Sequence, residues 1–352
     1  MSRSLTIGLV GYYGRGNFGD DLVAAIIGTH LRRQGHRCIV LSGADDPVRL
    51  VDEADAIVVG GGSLLSRMPQ AWMSRSLRRH LERAWQVIDT TCAHCGRTGT
   101  PLFVISVGGD GTAFDELAPG QVMLLRASAA ATVRHPEAAG LYERAGREAA
   151  CYPDIVLQTC RYFPVALPDD DGRRFARRLS IGIDVYWSNL MARGALYAPL
   201  LLRQLVRDRS DRSFIYIDST HRGHAPFRAI EPPRGAPNAE RYQFHDMRAD
   251  LERLASLDLV LSTRLHVGVA AMSYGVPFVS FFGEPKTALF LRDVGLDGRA
   301  VGHAAALTLS RRSGRQAALE VWLREGVFAS LSKAIDRSGG HLAALDAMLQ
   351  EI

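Results

Sequence analysis

One pattern constrains this chain more than any other. Short apolar runs alternate with segments of helical periodicity, and the turns between them are rich in glycine and polar residues. The first run, residues 6–10, leads into Gly11-Tyr-Tyr-Gly-Arg-Gly-Asn-Phe-Gly-Asp-Asp21 and then a helix over about 21–34. Strands are expected at 37–41, 56–59, 101–107 and 130–134, with helices over 70–91 and 119–127. Runs that are apolar throughout suit strands covered on both faces, and helical crossovers between them make the sheet parallel. A second series follows, with strands at 179–185, 214–218, 242–244, 259–261 and 278–282 and helices at 196–208, 247–257 and 265–274. A chain of 352 residues is too long for one ordinary core. The turn-rich stretch Leu167-Pro-Asp-Asp-Asp-Gly172 is the natural linker. The expected organisation is a Rossmann-like domain over 1–166 and a second over 167–315. Two C-terminal helices over 316–352, broken at Ser338-Gly339-Gly340, would pack across both. A proline- and glycine-rich loop occupies 226–237. The fold class is α/β, with two Rossmann-like domains facing a cleft and ligands at the carboxyl ends of the strands.

Composition narrows the functional classes. Hydrophobic residues make up 47% and charged residues 22%, which fits a globular protein. No apolar run approaches the roughly 18 residues that span a bilayer, and the first run flows directly into the glycine turn rather than a cleavage site. A cytoplasmic protein is the expectation. The net charge is +5, and apart from Lys286 and Lys333 every basic residue is arginine. That favours a carboxylate- or phosphate-bearing ligand or an anionic membrane surface. Without a basic tail or an aromatic-basic stripe, nucleic acid is the weakest reading. Five cysteines give no disulfide framework. Cys92-Ala-His-Cys95 is a lone CxxC, with Cys151 and Cys160 at unpersuasive spacing, so helix-end cysteines are favoured over zinc and no metal site is assigned.

The turns hold the chemistry. A glycine-rich turn before a helix presents backbone N–H groups to an anion, but this one lacks both the dinucleotide fingerprint and the P-loop Gly-Lys-Ser/Thr. Asp20 and Asp21 stand where a phosphate would sit; one could cap the helix, while the other could bind a hydroxylated ligand or act as a base. Gly60-Gly61-Gly62-Ser63 after the third strand permits close approach of backbone to ligand, or is only a crossover turn. Gly108-Gly109-Asp110-Gly111-Thr112 is similar to the phosphate loop of NAD and diacylglycerol kinases, but it follows the fourth strand and nothing else matches them. Arg134 ends another strand, its bland reading a surface ion pair. The most informative stretch is Ser262-Thr263-Arg264-Leu265-His266, followed by small residues and Gly275-Val276-Pro277. There a strand meets a helix whose first turn carries Arg264 and His266, a histidine beside an arginine at a positive helix end, which costs stability unless an anion is present. Lys286, in Glu284-Pro285-Lys286, adds a cation on the same rim.

Taken in order, these residues resemble the polysaccharide pyruvyl transferases. The opening turn is similar to that family's G-x-x-G-x-x-N-x-G-D-[DE], and the GGGS matches. Val133-Arg134 resembles V-R-[DE], Tyr152-Pro153-Asp154 its P-D, Arg264-Leu265-His266 with Gly275-Val276-Pro277 its R-L-H…G-[VI]-P, and Glu284-Pro285-Lys286 its D-P-K. The matches run over about residues 8–287. Three positions depart: Gly108-Gly109-Asp110-Gly111 in place of G-x-G-P, His135 in place of an acidic residue, and Asp184-Val185-Tyr186-Trp187 where an arginine is usual.

The resemblance implies a GT-B-like fold, phosphoenolpyruvate as donor, a sugar as acceptor and a pyruvate ketal as product. Arg134, Arg264 and His266 fall on donor-binding positions, the histidine also as the acid. The resulting assignment makes His266, Asp20 and Asp21 catalytic. Arg134, Ser262, Arg264, Leu265 and Lys286 bind the donor, and Asn17, Gly61, Gly62 and Asp110 the acceptor. No cofactor beyond the co-substrate is required. The expected acceptor is a sugar or lipid-linked oligosaccharide, met at the cytoplasmic face of the inner membrane by peripheral attachment; homo-oligomerisation is left open. Two alternatives stand beside this reading: a GT-B glycosyltransferase using a nucleotide sugar, with Glu284 holding the ribose, and a non-catalytic sugar-binding relative.

Overall fold

The computed structural model describes residues 3–41, 46–67, 75–166, 179–209, 211–220, 228–324 and 328–352. The chain divides into two compact units, Met1–Gln158 with Ala334–Ile352, and Thr159–Lys333. The first begins β1 (Thr6–Val10), α1 (Phe18–Arg33), β2 (Arg37–Val40), α2 (Pro47–Glu53), β3 (Ala56–Gly60) and α3 (Arg75–Thr98). It continues through β4 (Leu102–Val107), α4 (Pro119–Ala127), β5 (Ala130–Val133), α5 (Pro136–Arg144) and β6 (Ala150–Cys151). The second unit runs α6 (Thr159–Tyr162), β7 (Ser180–Asp184), α7 (Trp187–Ala192), α8 (Ala198–Asp208), β8 (Ser213–Asp218), β9 (Ala239–Gln243), α9 (Met247–Ala255) and β10 (Leu259–Ser262). It ends α10 (Leu265–Ser273), β11 (Phe278–Phe281), α11 (Pro285–Asp293), β12 (Ala300–Val301), α12 (His303–Leu309) and α13 (Arg312–Arg324). The boundary falls within α14 (Phe328–Ser338), and α15 (Gly340–Gln350) belongs to the first unit.

Each unit is built on one six-stranded sheet. The orders are β2-β1-β3-β4-β5-β6 and β12-β11-β10-β7-β8-β9, and every pairing is parallel. The central strands are buried along their whole length, as in β3 and β4, because helices cover both faces. This is the expected α/β class. In an open parallel sheet, ligands bind where the strand order reverses. That point lies between β1 and β3 in the first sheet and between β7 and β10 in the second.

Several elements differ from expectation. The helix expected over 70–91 runs Arg75–Thr98, with residues 70–74 outside the described set. Gly96 is tolerated inside it, and Gly99, with φ +76°, stops it. Cys92 and Cys95 fall in the last two turns of α3, as helix-end cysteines would, and the Cys95 carbonyl accepts from the Gly99 N–H at 2.9 Å. Both are buried in the core, which pushes their thiols up to about 12 and about 11. The tail forms three helices, not two, with the break at Gly339 where expected. The expected linker at 167–172 and residues 226 and 227 lie outside the described residues. Among the described residues, no helix is long and apolar enough to cross a membrane.

Candidate active site

In the first unit the glycine turn lies between β1 and α1, beside the switch point. Neither aspartate is the N-cap. Asn17 takes that position and the helix starts at Phe18. Asp21 reaches back to accept from the Gly14 N–H at 2.7 Å and so closes the turn on the helix. Asp20 is buried; its Oδ2 accepts from Asn17 Nδ2 at 2.5 Å. Its other oxygen faces Gly62, where an added Cβ would lie 3.0 Å from Oδ1, and φ there is +77°. Asn17, Asp20 and Gly62 are therefore brought together across the β1–β3 switch.

Beside them, Arg134 at the end of β5 is only 5% exposed. It donates to Asp154 Oδ2 at 2.9 Å and to Ser63 Oγ at 3.0 Å. Its path explains Gly108, since a Cβ there would lie 2.3 Å from Nε. Gly109 packs against the Leu65 carbonyl, and Thr112 donates to Asp110 Oδ1 at 2.5 Å. The Gly-Gly-Asp-Gly-Thr stretch thus has a packing explanation. The bland reading of Arg134 as a surface pair does not hold: the pair is internal. A buried Arg–Asp pair fixes both side chains firmly, because removing either partner strands a charge.

Two histidines brace this arrangement. His135, the departure from the acidic pattern, is the N-cap of α5; its Nδ1 lies 3.3 Å from the Ala138 N–H, a bond a carboxylate would also accept. Burial, then the neighbouring Arg134, lowers its pKa to about 4. His341, on α15, lies 2.7 Å from Thr132 Oγ1 through Nδ1 and 3.0 Å from the Pro153 carbonyl through Nε2. Burial lowers it to about 4 as well. The neutral ring donates from Nε2 to the Pro153 carbonyl and accepts the Thr132 hydroxyl at Nδ1. The C-terminal helix thereby fixes the backbone next to Asp154.

In the second unit the switch point is lined by the ends of β7 and β10. Asp184 is fully buried and accepts from Ser262 Oγ at 2.6 Å and Ser219 Oγ at 2.8 Å. Burial pushes it up to about 6, against the opposing pull of Arg264 and the two serines. Ser262 Oγ also meets the Arg264 N–H at 2.8 Å, so it shapes the strand-to-helix turn. Arg264 is the N-cap residue of α10, and its Cζ lies 4.3 Å from the centroid of Tyr186. The Tyr186 hydroxyl donates to Asp218 Oδ1 at 2.9 Å and accepts from the Ser219 N–H at 2.6 Å. The Asp184–Trp187 departure thus supplies an aromatic platform for Arg264. His266 is half-buried in the first turn of α10, while the Leu265 side chain is core, leaving its backbone for any ligand contact. Lys286 Nζ lies 2.6 Å from Glu284 Oε2, and Asn189 Nδ2 donates to Oε1 at 3.0 Å. Desolvation would raise Glu284, but the Lys286 ammonium and these bonds outweigh it and hold the carboxyl low.

Sequence reasoning passed over Asp154 as a site residue, although Tyr-Pro-Asp pointed to it. It also passed over Asp218, the last residue of β8, and Tyr186, Ser219 and Ser63, which follow strands within three residues. His341 carried no local signal.

Two parallel α/β units, each with polar residues at the switch point of its sheet, give the GT-B-like fold class. The solved structures agree on the fold. A putative UDP-N-acetylglucosamine 2-epimerase from Listeria monocytogenes matches with TM-score 0.61 at 10% identity, over 99% of this chain and 95% of that one. The UDP-GlcNAc 2-epimerase of Methanocaldococcus jannaschii gives 0.61 at 12%, over 97% and 99%. CalG4, the calicheamicin glycosyltransferase, gives 0.52 at 14%, over 99% and 98%. Curated protein sequences give no match. The model of the polysaccharide pyruvyl transferase family matches residues 17–282, and the chain belongs to that family.

Proposed function

We propose that the protein transfers a pyruvyl group from phosphoenolpyruvate to two hydroxyls of a sugar in a cell-surface polysaccharide precursor, forming a ketal. The observation that carries this reading is Arg264, seated on Tyr186 at the head of α10 with His266 in the same helical turn. Stacking engages the face of a guanidinium, while a carboxylate or phosphate is recognised in its plane. The helix N-terminus adds backbone N–H groups and a favourable dipole. His266 would deliver a proton to the donor's methylene carbon, making the adjacent carbon electrophilic. One sugar hydroxyl adds there and loses its proton. The second displaces phosphate and closes the ketal, so the two hydroxyl protons end on the new methyl group and on phosphate. Asp20, oriented by Asn17, is suited to bind the acceptor and take a proton, whereas Asp21 serves the turn itself. No redox step enters.

The donor clamp is narrower than three independent cations. Arg134 is bonded to Asp154 and Lys286 to Glu284, so their electrostatic contribution to a donor is reduced by their partners. A nucleotide-sugar reaction is the competing reading, favoured by the likeness to UDP-sugar enzymes and by the half-buried Glu284.

Calorimetric titration decides between them. Phosphoenolpyruvate is expected to bind saturably to the wild-type protein and not to Arg264→Ala. Saturable binding of a UDP-sugar instead would overturn the donor assignment. His266→Ala should keep donor binding and lose about 10²–10⁴-fold in transfer rate; an unchanged rate removes the histidine from the mechanism.

A further inference from the structure

Among the described residues, eight large hydrophobic side chains are exposed, and five of them gather in two segments of the second unit. Met191 is 67% exposed, Leu196 60%, Tyr197 37% and Leu200 60%, all on or between α7 and α8; Leu307 on α12 is 74% exposed. The two segments are tied together. The Tyr197 hydroxyl lies 2.7 Å from His303 Nδ1, and His303 Nε2 donates to the Arg193 carbonyl at 2.7 Å. Leu200 is one turn beyond Tyr197, and Leu307 one turn beyond His303, so both leucines extend from that junction. Leu200 is also off the stripe of α8 that builds the core, which is Leu201, Leu202, Leu205 and Val206.

The charge on these segments is almost all positive, with Asp208 at the end of α8 the one acidic residue in α7, α8 and α12. Residues 185–207 and 298–319 contain no aspartate or glutamate. Arg193, Arg203, Arg207, Arg311 and Arg312 are exposed there. On α8, Leu200, Arg203 and Arg207 follow i, i+3, i+7 spacing and share a face. Apolar side chains ringed by arginine, with an interfacial tyrosine, are the chemistry of contact with an anionic bilayer. The leucines enter the headgroup boundary and the arginines remain among the phosphates. A second copy of this chain is a poorer occupant, because a symmetric contact would set arginine against arginine with only Asp208, at the end of α8, to offset them. The surface also continues from the candidate site: α7 carries both Met191 and Asn189, the residue bonded to Glu284.

We propose that the α7–α8 segment and α12 form a membrane-docking surface for anionic phospholipid. It would hold the second unit at the bilayer where lipid-linked sugars are presented.

Sedimentation with vesicles tests this on the full chain without any substrate, so its failure is separate from failure of the pyruvyl-transfer reading. The protein should pellet with equimolar phosphatidylcholine and phosphatidylglycerol, and not with phosphatidylcholine alone. The double variant Leu200→Glu, Leu307→Glu should lower the partition coefficient about tenfold or more. Val40→Glu, an exposed apolar position in the other unit, should leave it unchanged and controls for added charge. Equal thermal midpoints for wild type and double variant show that the fold survives. Failure of the wild type to bind anionic vesicles overturns the proposal, as does undiminished binding by the double variant. A concentration-dependent dimer that the double variant abolishes, without vesicle binding, would reassign the surface to self-association.

Discussion

The arginine at the strand ends of the first unit, Arg134, is locked against Asp154 in the interior, whereas that of the second, Arg264, lies on the face of Tyr186. The buried ionisable groups around them differ in the same sense. The first cluster keeps two neutral histidines, His135 and His341; the second keeps a carboxyl, Asp184, pushed up to about 6. Both lie at the carboxyl ends of parallel strands, so topology does not set the contrast. It lies in what holds each guanidinium, a buried carboxylate for Arg134 and an aromatic face for Arg264. An internal ion pair commits the plane of the guanidinium, and stacking commits its face.

The largest effect should come from breaking the internal pair. Asp154→Ala leaves Arg134 charged and buried, a loss of about 3–5 kcal/mol, read from chemical denaturation. Asp184→Asn at pH 7 removes a carboxyl that burial already disfavours in its ionised form and should cost far less. Equal losses would erase the distinction between the clusters.

Acid should move the two clusters in opposite directions. His341 has its pKa lowered to about 4, below that of an unfolded histidine, so it contributes stability above about 6.5 that is lost as pH falls toward 4. Asp184 has its pKa raised to about 6, so its contribution is present below about 4 and lost as pH rises to 6. Each window corresponds to about 3 kcal/mol. Stability of wild type minus His341→Gln should rise with pH across that range, while wild type minus Asp184→Asn should fall. Slopes of the same sign would contradict the assigned protonation states.

The strands and their order along the chain were legible because apolar runs bounded by glycine and polar turns leave little choice. β1 and α4 were expected with the bounds they have, and the other strand expectations fall within a few residues. Short elements without a long apolar run, such as β6, β12 and α2, left no such signal. The N-terminal motif and the Arg264–His266 turn were legible as motifs, since backbone geometry and charge at a strand end are local. What Arg134 and Asp184 hold was not. The Asp154 carboxylate and the His341 ring reach the first cluster from distant sequence, and only the fold brings them there. The His135 and Asp184 departures looked like losses in sequence. In space one caps a helix as a carboxylate would, and the other opens the segment that gives Arg264 its aromatic seat.

The smallest predicted effect probes that seat. The Tyr186 ring is held at its hydroxyl by Asp218 and the Ser219 N–H, so it offers Arg264 a fixed plane. Tyr186→Leu removes the plane but keeps an apolar side chain, and should weaken phosphoenolpyruvate binding about tenfold, or 1–2 kcal/mol. Tyr186→Phe keeps the plane and loses the hydroxyl bonds. It should destabilise the unit more than it weakens donor affinity, because the buried Ser219 N–H loses its acceptor, while Asp218 Oδ1 keeps its bonds from Thr220. A positioning role therefore predicts a split: affinity follows the ring and stability follows the hydroxyl. If both variants lose affinity only in proportion to stability, Tyr186 is packing, and the donor is recognised without help from the aromatic seat.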